Sequence, residues 1–349
     1  MFLSGHRATS WIVPDSCEYV HIPTFDSLLP KRAIKWGRTP FLNFTKPEAI
    51  AFRSKFIQTT FDVFKPDIFV SDFLPLGKFE ELYDPLISST AIKVLVLRGI
   101  LDHPIPADSG LFAGRAEAFL ADSYSSILVA CDRRICNVET ELRMSPKLTK
   151  KLSYIGYVSP SISDSDIACT RAERGLSKNS RWVVCSAGSG KNAEALILSC
   201  IEASTHFPAI FFDIVAGPSS RISIDSLRSR TSFPRIRLHR EEKNLPIWHA
   251  AADFVVSEGG YNSLVESIAG CAQIIVCPVQ QMNCYEQLTH AKRLSAFSPI
   301  SVLENPDELK ILLHASLGRR IPAHRPLRSH NLDFAGAETA ARSLLSLRP

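Results

Sequence analysis

Two glycine-rich turns in the second half of the chain have the residue types needed to bind an anion. The first contains Gly188, Ser189 and Gly190, and the second contains Gly259 and Gly260. Each follows a short apolar run and precedes an amphipathic stretch. Glycines let backbone N–H groups approach a ligand, and the N-terminus of the next helix adds partial positive charge. Both turns are therefore candidates for phosphate binding.

The first turn has part of the spacing of a nucleotide-binding P-loop, because Lys191 follows its last glycine. Cys185 stands where that motif needs its first glycine, and Asn192 stands where a serine or threonine would bind magnesium. A P-loop is therefore excluded. A general phosphate-binding turn and a tight turn without a ligand both remain open.

The second turn is followed by Ser263 and Glu266, for which two interpretations are open. Their spacing is that of a capping box, in which both side chains only close the start of a helix. Alternatively, Glu266 accepts hydrogen bonds from the ribose hydroxyls of a nucleotide, as acidic residues do in dinucleotide sites. Further along, Glu286 and Gln287 open another helix after a strand that ends at Pro278. By itself this last pattern indicates only an amphipathic helix.

Short apolar runs alternate with amphipathic stretches throughout the chain, which predicts an α/β fold with parallel sheets. In such sheets ligands bind beyond the carboxyl ends of the strands. A Ser- and Pro-rich start indicates an interdomain linker over 154–175. The predicted division is an N-terminal domain over 1–157, a C-terminal domain over 158–331 and a final helix over 332–349.

Composition limits the class of partner. The 349 residues include 40 basic and 35 acidic side chains, a net charge of +5. This scattered excess does not predict nucleic-acid binding, and it is compatible with a small anionic ligand or a weak membrane-surface contact. The nine cysteines form no CxxC pair, which indicates reduced thiols and a cytoplasmic location. No apolar run reaches the ~20 residues of a membrane span.

Taken in order, residues 251–294 resemble the donor-site signature of a known glycosyltransferase family. An aspartate and an apolar strand precede Gly259-Gly260, then come Ser263 and Glu266, a second apolar strand ending at Pro278, and Glu286-Gln287. The family contains the lipid-intermediate N-acetylglucosaminyltransferase of peptidoglycan synthesis, of the glycosyltransferase family 28 C-terminal-domain type. Residues 73–77, 97–102, 154–158 and 216–218 are similar to further segments, closest to a bacterial branch of predicted glycosyltransferases.

The resemblance implies a GT-B fold, in which two Rossmann-like domains face a cleft. It implies a nucleotide sugar, with UDP as the expected nucleotide, on the C-terminal domain and an acceptor, a small molecule or a lipid-linked one, on the N-terminal domain. No metal and no further cofactor are expected. The backbone at 240–242 would face the base. The implied donor-binding residues are Gly188, Ser189, Gly190, Gly259, Gly260, Tyr261, Asn262, Ser263, Glu266, Glu286 and Gln287.

For the catalytic base, the N-terminal half offers Asp72, Asp102 and His103, all at or just beyond predicted strand ends. Each is equally interpretable as a turn or cap residue. Two positions depart from the resembled pattern. Glu258 places a carboxylate beside the expected diphosphate, which is repulsive, and Gly99 stands where the bacterial branch has aspartate.

The start of the chain also departs from the family. The pattern over 1–23 matches the family's second and third strands, so the N-terminal domain is expected to lack its first βα unit. The alternative is that residues 1–5 take the central place in the sheet. At the other end, Phe334, Ala337, Ala341, Leu344 and Leu345 share one helical face, and the resemblance implies that this helix crosses back to the first domain.

The function predicted from these observations is transfer of a sugar, by a hexosyltransferase, from a nucleotide-diphosphate donor to an unidentified acceptor. A nucleotide-sugar epimerase on the same fold is the first alternative, and it would need a carboxylate pair around the anomeric carbon. The second is a non-catalytic sugar-nucleotide-binding partner subunit, which the departures at the N-terminus and at Glu258 favour.

Overall fold

A computed structural model describes most of the chain. The described residues are 1–5, 13–30, 42–100, 114–190, 194–218, 220–228, 235–270, 273–278, 285–317 and 331–347. Among the helices in these ranges, none is both long and apolar enough to cross a membrane.

The N-terminal half is built on parallel strands. They are β1 (Phe2–Ser4), β2 (Tyr19–His21), β3 (Ile68–Asp72), β4 (Ile92–Arg98), β5 (Tyr124–Ala130) and β6 (Leu152–Tyr154). The helices are α1 (Phe25–Leu28), α2 (Lys46–Phe64), α3 (Tyr83–Ser88), α4 (Gly114–Ser123), α5 (Val138–Glu141) and α6 (Pro146–Thr149). Strands β3, β4, β5 and β6 form one parallel sheet in that order.

The first two strands form a separate two-stranded sheet. Strand β1 pairs in parallel with β2, with Phe2 opposite Tyr19 and Ser4 opposite His21. Within the described residues no ladder joins β1 to β3. The expectation that residues 1–5 take the central place of one continuous sheet is therefore wrong for the described part of the chain.

The C-terminal half contains a six-stranded parallel sheet in the order β12-β11-β10-β7-β8-β9. Its strands are β7 (Trp182–Ser186), β8 (Phe211–Val215), β9 (Ile236–His239), β10 (Phe254–Ser257), β11 (Gln273–Val276) and β12 (Ile300–Val302). The helices are α7 (Asp164–Glu173), α8 (Glu194–Thr205), α9 (Ile224–Arg228), α10 (Leu245–Ala251), α11 (Tyr261–Ala269), α12 (Tyr285–Leu294) and α13 (Leu309–Leu317). The strand order reverses between β7 and β10, as in a Rossmann-like sheet.

Strands β7 and β10 lie at the centre of this sheet, and every one of their residues is buried. Helices cover both faces of a parallel sheet, which explains why these strands are continuous apolar runs rather than alternating ones. Val183 of β7 lies opposite Phe254 of β10, and Ser186 lies opposite Ser257. Both strands therefore end at the same level, and the turns that follow them lie side by side.

Segment 154–175, which the sequence indicated as a linker, contains helix α7. Ser163 caps its start by accepting a hydrogen bond from the N–H of Asp166, while the Asp166 carboxylate accepts one from the N–H of Ser163. No residue of this helix is buried. The absence of an apolar face explains why hydrophobic periodicity did not reveal it.

The last helix, α14 (Gly336–Ser346), packs on the N-terminal sheet. Its Ala340 and Leu344, with Leu347 beyond its end, contact a buried cluster that includes Val94 and Leu128. The predicted face was wrong in part, because Ala337, Ala341 and Leu345 are exposed. The start of the helix is packed closely as well. Gly336 is buried against the backbone of Tyr157, so close that a Cβ there would lie 2.6 Å from the Tyr157 carbonyl oxygen.

Candidate functional site

The turn after β7 is held against the turn after β8 by glycines. Gly190 has φ +82°, and a Cβ there would lie 2.2 Å from the Ala216 carbonyl oxygen. Gly217 has φ +88°, and a Cβ there would lie 2.5 Å from the Gly188 carbonyl oxygen. Packing therefore accounts for Gly190. Gly188 and Ser189 form the exposed tip of the turn, where they can meet a ligand.

The turn after β10 contains two glycines, one that close packing requires and one with open space around it. Gly259 is buried with φ +78°, and a Cβ there would lie 2.5 Å from the Val276 side chain. Gly260 has open space where a Cβ would be. Gly260 is also the N-cap of α11, and no side chain caps that helix. Within the described residues, the first N–H groups of α11 therefore receive no hydrogen bond from an N-cap side chain.

The capping-box interpretation of Ser263 and Glu266 is wrong. Helix α11 begins at Tyr261, so Ser263 lies inside the first turn and Glu266 in the second. Asn262 is exposed at the start of the helix, and Ser263 is half-buried. Glu266 faces a histidine that the sequence did not single out: its Oε2 lies 3.4 Å from His249 Nδ1.

Tyr261 connects the turn after β10 to the other half of the chain. Its side chain is buried, and its hydroxyl donates a hydrogen bond to the Ala130 carbonyl at the end of β5. Its ring stacks on His290, and the ring centroids are 5.3 Å apart. Burial lowers the pKa of His290 to about 3, so this imidazole is neutral. The phenol of Tyr261 is thus a contact between the two halves, and only its backbone remains for a ligand.

Glu286 and Gln287, predicted to bind sugar hydroxyls, open α12 beside the second turn. The Gln287 carbonyl oxygen lies 3.8 Å from the position of a Cβ on Gly259. Glu286 Oε1 lies 3.8 Å from Nη1 of Arg98, which is the last residue of β4 in the N-terminal half. Arg98 is a further cation facing this region, and the sequence analysis did not identify it. The ion pair brings the two halves together at the predicted sugar position.

A groove of about 670 Å³ lies at the carboxyl end of β9. It is lined by residues of α9, of β9 and of the turn after β9, including Arg228, His239, Arg240 and Glu241. Its volume lies in the range of small-ligand sites. It includes the segment expected to face the nucleotide base, on the same edge of the sheet as the two glycine turns.

Of the three residues predicted as the catalytic base, the described part of the chain includes Asp72. Asp72 is exposed at the carboxyl end of β3, beside the end of β4. Asp102 and His103 lie outside the described residues. Gly99, where the bacterial branch has aspartate, has no room for a side chain. A Cβ there would lie 2.2 Å from Cys131 Cβ and 2.3 Å from Cys136 Sγ.

Glu258, the unexpected carboxyl beside the second turn, is half-buried, and burial raises its pKa to about 7. In the unfolded chain a glutamate ionises near pH 4.3. The folded state therefore holds the proton more tightly, and ionisation of Glu258 destabilises the fold as the pH rises towards 8.

Replacing Glu258 by glutamine should remove this penalty. Relative to the wild type, Glu258→Gln should raise the free energy of unfolding by about 1–2 kcal/mol more at pH 8 than at pH 4.5. This range is reduced to allow for the partial exposure of the Glu258 side chain. Urea unfolding at the two pH values measures it, with the exposed Glu202→Gln as the control. An equal effect of Glu258→Gln at both pH values would show that this carboxyl does not titrate differently on folding.

With this geometry in place, the chain can be compared with known proteins. No protein-family model matches the chain, and no curated protein does. Solved structures do match over most of its length. The kitacinnamycin glycotransferase has a TM-score of 0.59 at 14% identity, covering 95% of this chain and 91% of that one. The UDP-GlcNAc 2-epimerase from Neisseria meningitidis, bound to UDP-GlcNAc, has a TM-score of 0.60 at 12% identity, covering 94% and 91%.

The chain has the GT-B fold. An Anabaena protein, HepE, in complex with UDP-glucose is similar as well, with a TM-score of 0.54 at 15% identity over 91% of this chain and 89% of that one. Glycosyltransferases and epimerases thus share this architecture of two Rossmann-like domains. At these identities the likeness establishes the GT-B fold alone.

Proposed function

We propose that the chain binds a UDP-sugar on its C-terminal domain and transfers the sugar to an acceptor held by its N-terminal domain. The observation that carries this proposal is the position of the two glycine turns. They follow adjacent central strands, β7 and β10, where the strand order reverses, and this is where open α/β sheets bind ligands. The solved GT-B structures bound to UDP-GlcNAc and UDP-glucose support a UDP-sugar as the ligand.

In the proposed complex the diphosphate lies against the backbone of Gly188–Ser189 and Gly260–Ser263. N–H groups at the start of α11 stabilise the negative charge that develops on the leaving diphosphate, without a metal ion. Glu266 accepts hydrogen bonds from ribose hydroxyls, and Glu286 and Gln287 bind sugar hydroxyls. The nucleotide base occupies the groove beside Arg240 and Glu241.

The transfer itself exchanges one bond for another. An acceptor hydroxyl oxygen bonds to the anomeric carbon, the bond from that carbon to the diphosphate oxygen breaks, and UDP leaves with the electron pair. A base accepts the hydroxyl proton. Of the base residues predicted from the sequence, Asp72 is the one in the described part of the chain.

The seven described cysteines are free thiols, which is compatible with a cytoplasmic location.

Replacing Glu266 by glutamine should weaken UDP binding by about 1–3 kcal/mol, because a hydrogen bond to a charged acceptor becomes a bond to a neutral one. Calorimetric titration with UDP measures the change, and Glu202→Gln on the exposed face of α8 is the control. UDP affinity that stays the same in Glu266→Gln would remove Glu266 from the site.

An epimerase is the second proposed function, because an epimerase has a TM-score as high as that of a glycosyltransferase. The two activities differ in their need for an acceptor. An epimerase converts UDP-GlcNAc when no acceptor is present, whereas a transferase releases UDP only with an acceptor, apart from slow hydrolysis. Incubation of the purified chain with UDP-sugars, with and without a panel of acceptors, separates them. UDP binding without any turnover would identify a non-catalytic binding subunit.

A further inference from the structure

A fully buried histidine lies behind the proposed ribose ligand. His249, on helix α10, has no exposed surface. Its Nε2 lies 3.1 Å from Ser186 Oγ at the end of β7, and its Nδ1 lies 3.4 Å from Glu266 Oε2 on α11. Ser186 is buried, whereas the Glu266 side chain is 21% exposed. One imidazole therefore connects the interior of the sheet to a carboxylate that reaches the surface.

The chemistry of the two partners favours one tautomer of His249, because a carboxylate can only accept a hydrogen bond whereas a hydroxyl can also donate one. The Ser186 hydroxyl can donate to Nε2, and this leaves the hydrogen on Nδ1, facing the carboxylate. Among the described residues, Nδ1 of His249 has no hydrogen-bond partner with good geometry. A buried donor without a partner is costly. A small rotation of the Glu266 carboxylate would complete the bond, and site hydrogen bonds often tighten only when the ligand is present.

The two helices that carry these groups are locked together. Gly270, directly after α11, packs on α10 so closely that a Cβ there would lie 2.2 Å from Ala250 Cα. Ala250 is the residue after His249. Because the backbones of the two helices are in direct contact here, the packing restricts how far His249 can move relative to Glu266.

We propose that His249 is a positioning residue for ribose recognition: its Nδ1–H holds one oxygen of Glu266, so that the carboxylate accepts hydrogen bonds from the ribose 2′- and 3′-hydroxyls. This proposal rests on the proposed function. Its consequence is specificity, since the site then prefers a ribonucleotide to a 2′-deoxyribonucleotide. A histidine that only filled space between α10 and α11 would not affect that preference.

The experiment compares the affinities of UDP and 2′-deoxy-UDP by calorimetry in the full chain. The wild type should prefer UDP by about tenfold, the effect of one hydrogen bond to a charged group. His249→Gln keeps a polar group near Ser186 but removes the donor towards Glu266, and the preference should fall to about threefold or less. His249→Asn places an amide N–H near the Nδ1 position and should restore it. His314→Gln, an exposed histidine on α13, should leave it at the wild-type value.

The outcomes separate the proposals. A wild type that does not bind UDP overturns the proposed function. A wild type that binds UDP without preferring it, or a folded His249→Gln variant that keeps the full preference, overturns the role of His249 while UDP binding stands. If His249→Gln does not fold, Ser186→Ala decides. It removes the donor that sets the tautomer and should reduce the preference about threefold, and an unchanged preference would overturn the proposal.

Discussion

Replacing Gly260 by valine should abolish UDP binding while leaving the fold intact. A Cβ at Gly260 enters open space and its φ is not positive, so the unliganded chain tolerates a side chain there. The same side chain would stand between the diphosphate and the first N–H groups of α11. Losing about two hydrogen bonds to a charged group costs about 3–6 kcal/mol, which is more than a hundredfold in affinity.

The measurement pairs UDP titration with thermal unfolding of the same variant. Gly175→Val is the control for UDP affinity only: a Cβ at Gly175 also meets no atom within 4 Å, but its φ of +77° makes any side chain there strained. Gly260→Val should keep the wild-type midpoint of unfolding and lose UDP. Full affinity in the folded Gly260→Val variant would mean that no ligand approaches this turn.

The largest effect on stability is expected at Asp213 of β8. Its carboxylate is fully buried and accepts hydrogen bonds from Arg174 Nε and from Trp182 Nε1 at 2.7 Å, and His239 Nε2 lies 2.8 Å away. Burial alone would raise the pKa of Asp213, but its bonds to His239 and Arg174 outweigh burial and lower it. Asp213→Asn leaves the buried Arg174 guanidinium without a counter-charge.

We expect Asp213→Asn to cost about 3–5 kcal/mol of unfolding free energy at pH 7. Asp225→Asn is the matched control, since its pair with Arg228 is exposed and contributes at most about 1 kcal/mol. Because the folded pKa of Asp213 is lowered, its contribution is complete above about pH 4 and is lost as the pH falls further. Urea unfolding at pH 7 and pH 3 tests both points. A cost below that of the control, or one that is as large at pH 3 as at pH 7, would contradict the assignment.

The strands of the C-terminal sheet could be predicted from the sequence because central parallel strands are continuous apolar runs. Trp182–Ser186 and Phe254–Ser257 are such runs, and the glycines after them indicate turns. Their adjacency follows from the Rossmann-like strand order. The spacing of Ser263 and Glu266 suggested a capping box that does not form, because the helix begins at Tyr261 with a glycine N-cap that leaves no side-chain signal.

The contacts between distant segments of the chain could not be predicted from any sequence pattern. The hydroxyl of Tyr261 donates to a backbone carbonyl of the N-terminal half, and no sequence pattern encodes such a partner. His249 stands in an apolar helical stretch where a lone histidine indicates only a core position. Arg98 ends an ordinary strand, and its pairing with Glu286 depends on how the two halves pack. The polar contacts around the site could therefore be identified only from the structure.

Hydrogen–deuterium exchange of the full chain, with and without saturating UDP, tests the donor site most directly. Ligand binding at the end of β7 and β10 should slow exchange in the peptides that cover 186–190 and 258–266, with a smaller effect at 239–242. Exchange in α14 should stay the same. Unchanged exchange at both glycine turns, or protection confined to other parts of the chain, would contradict a nucleotide site at this edge of the sheet.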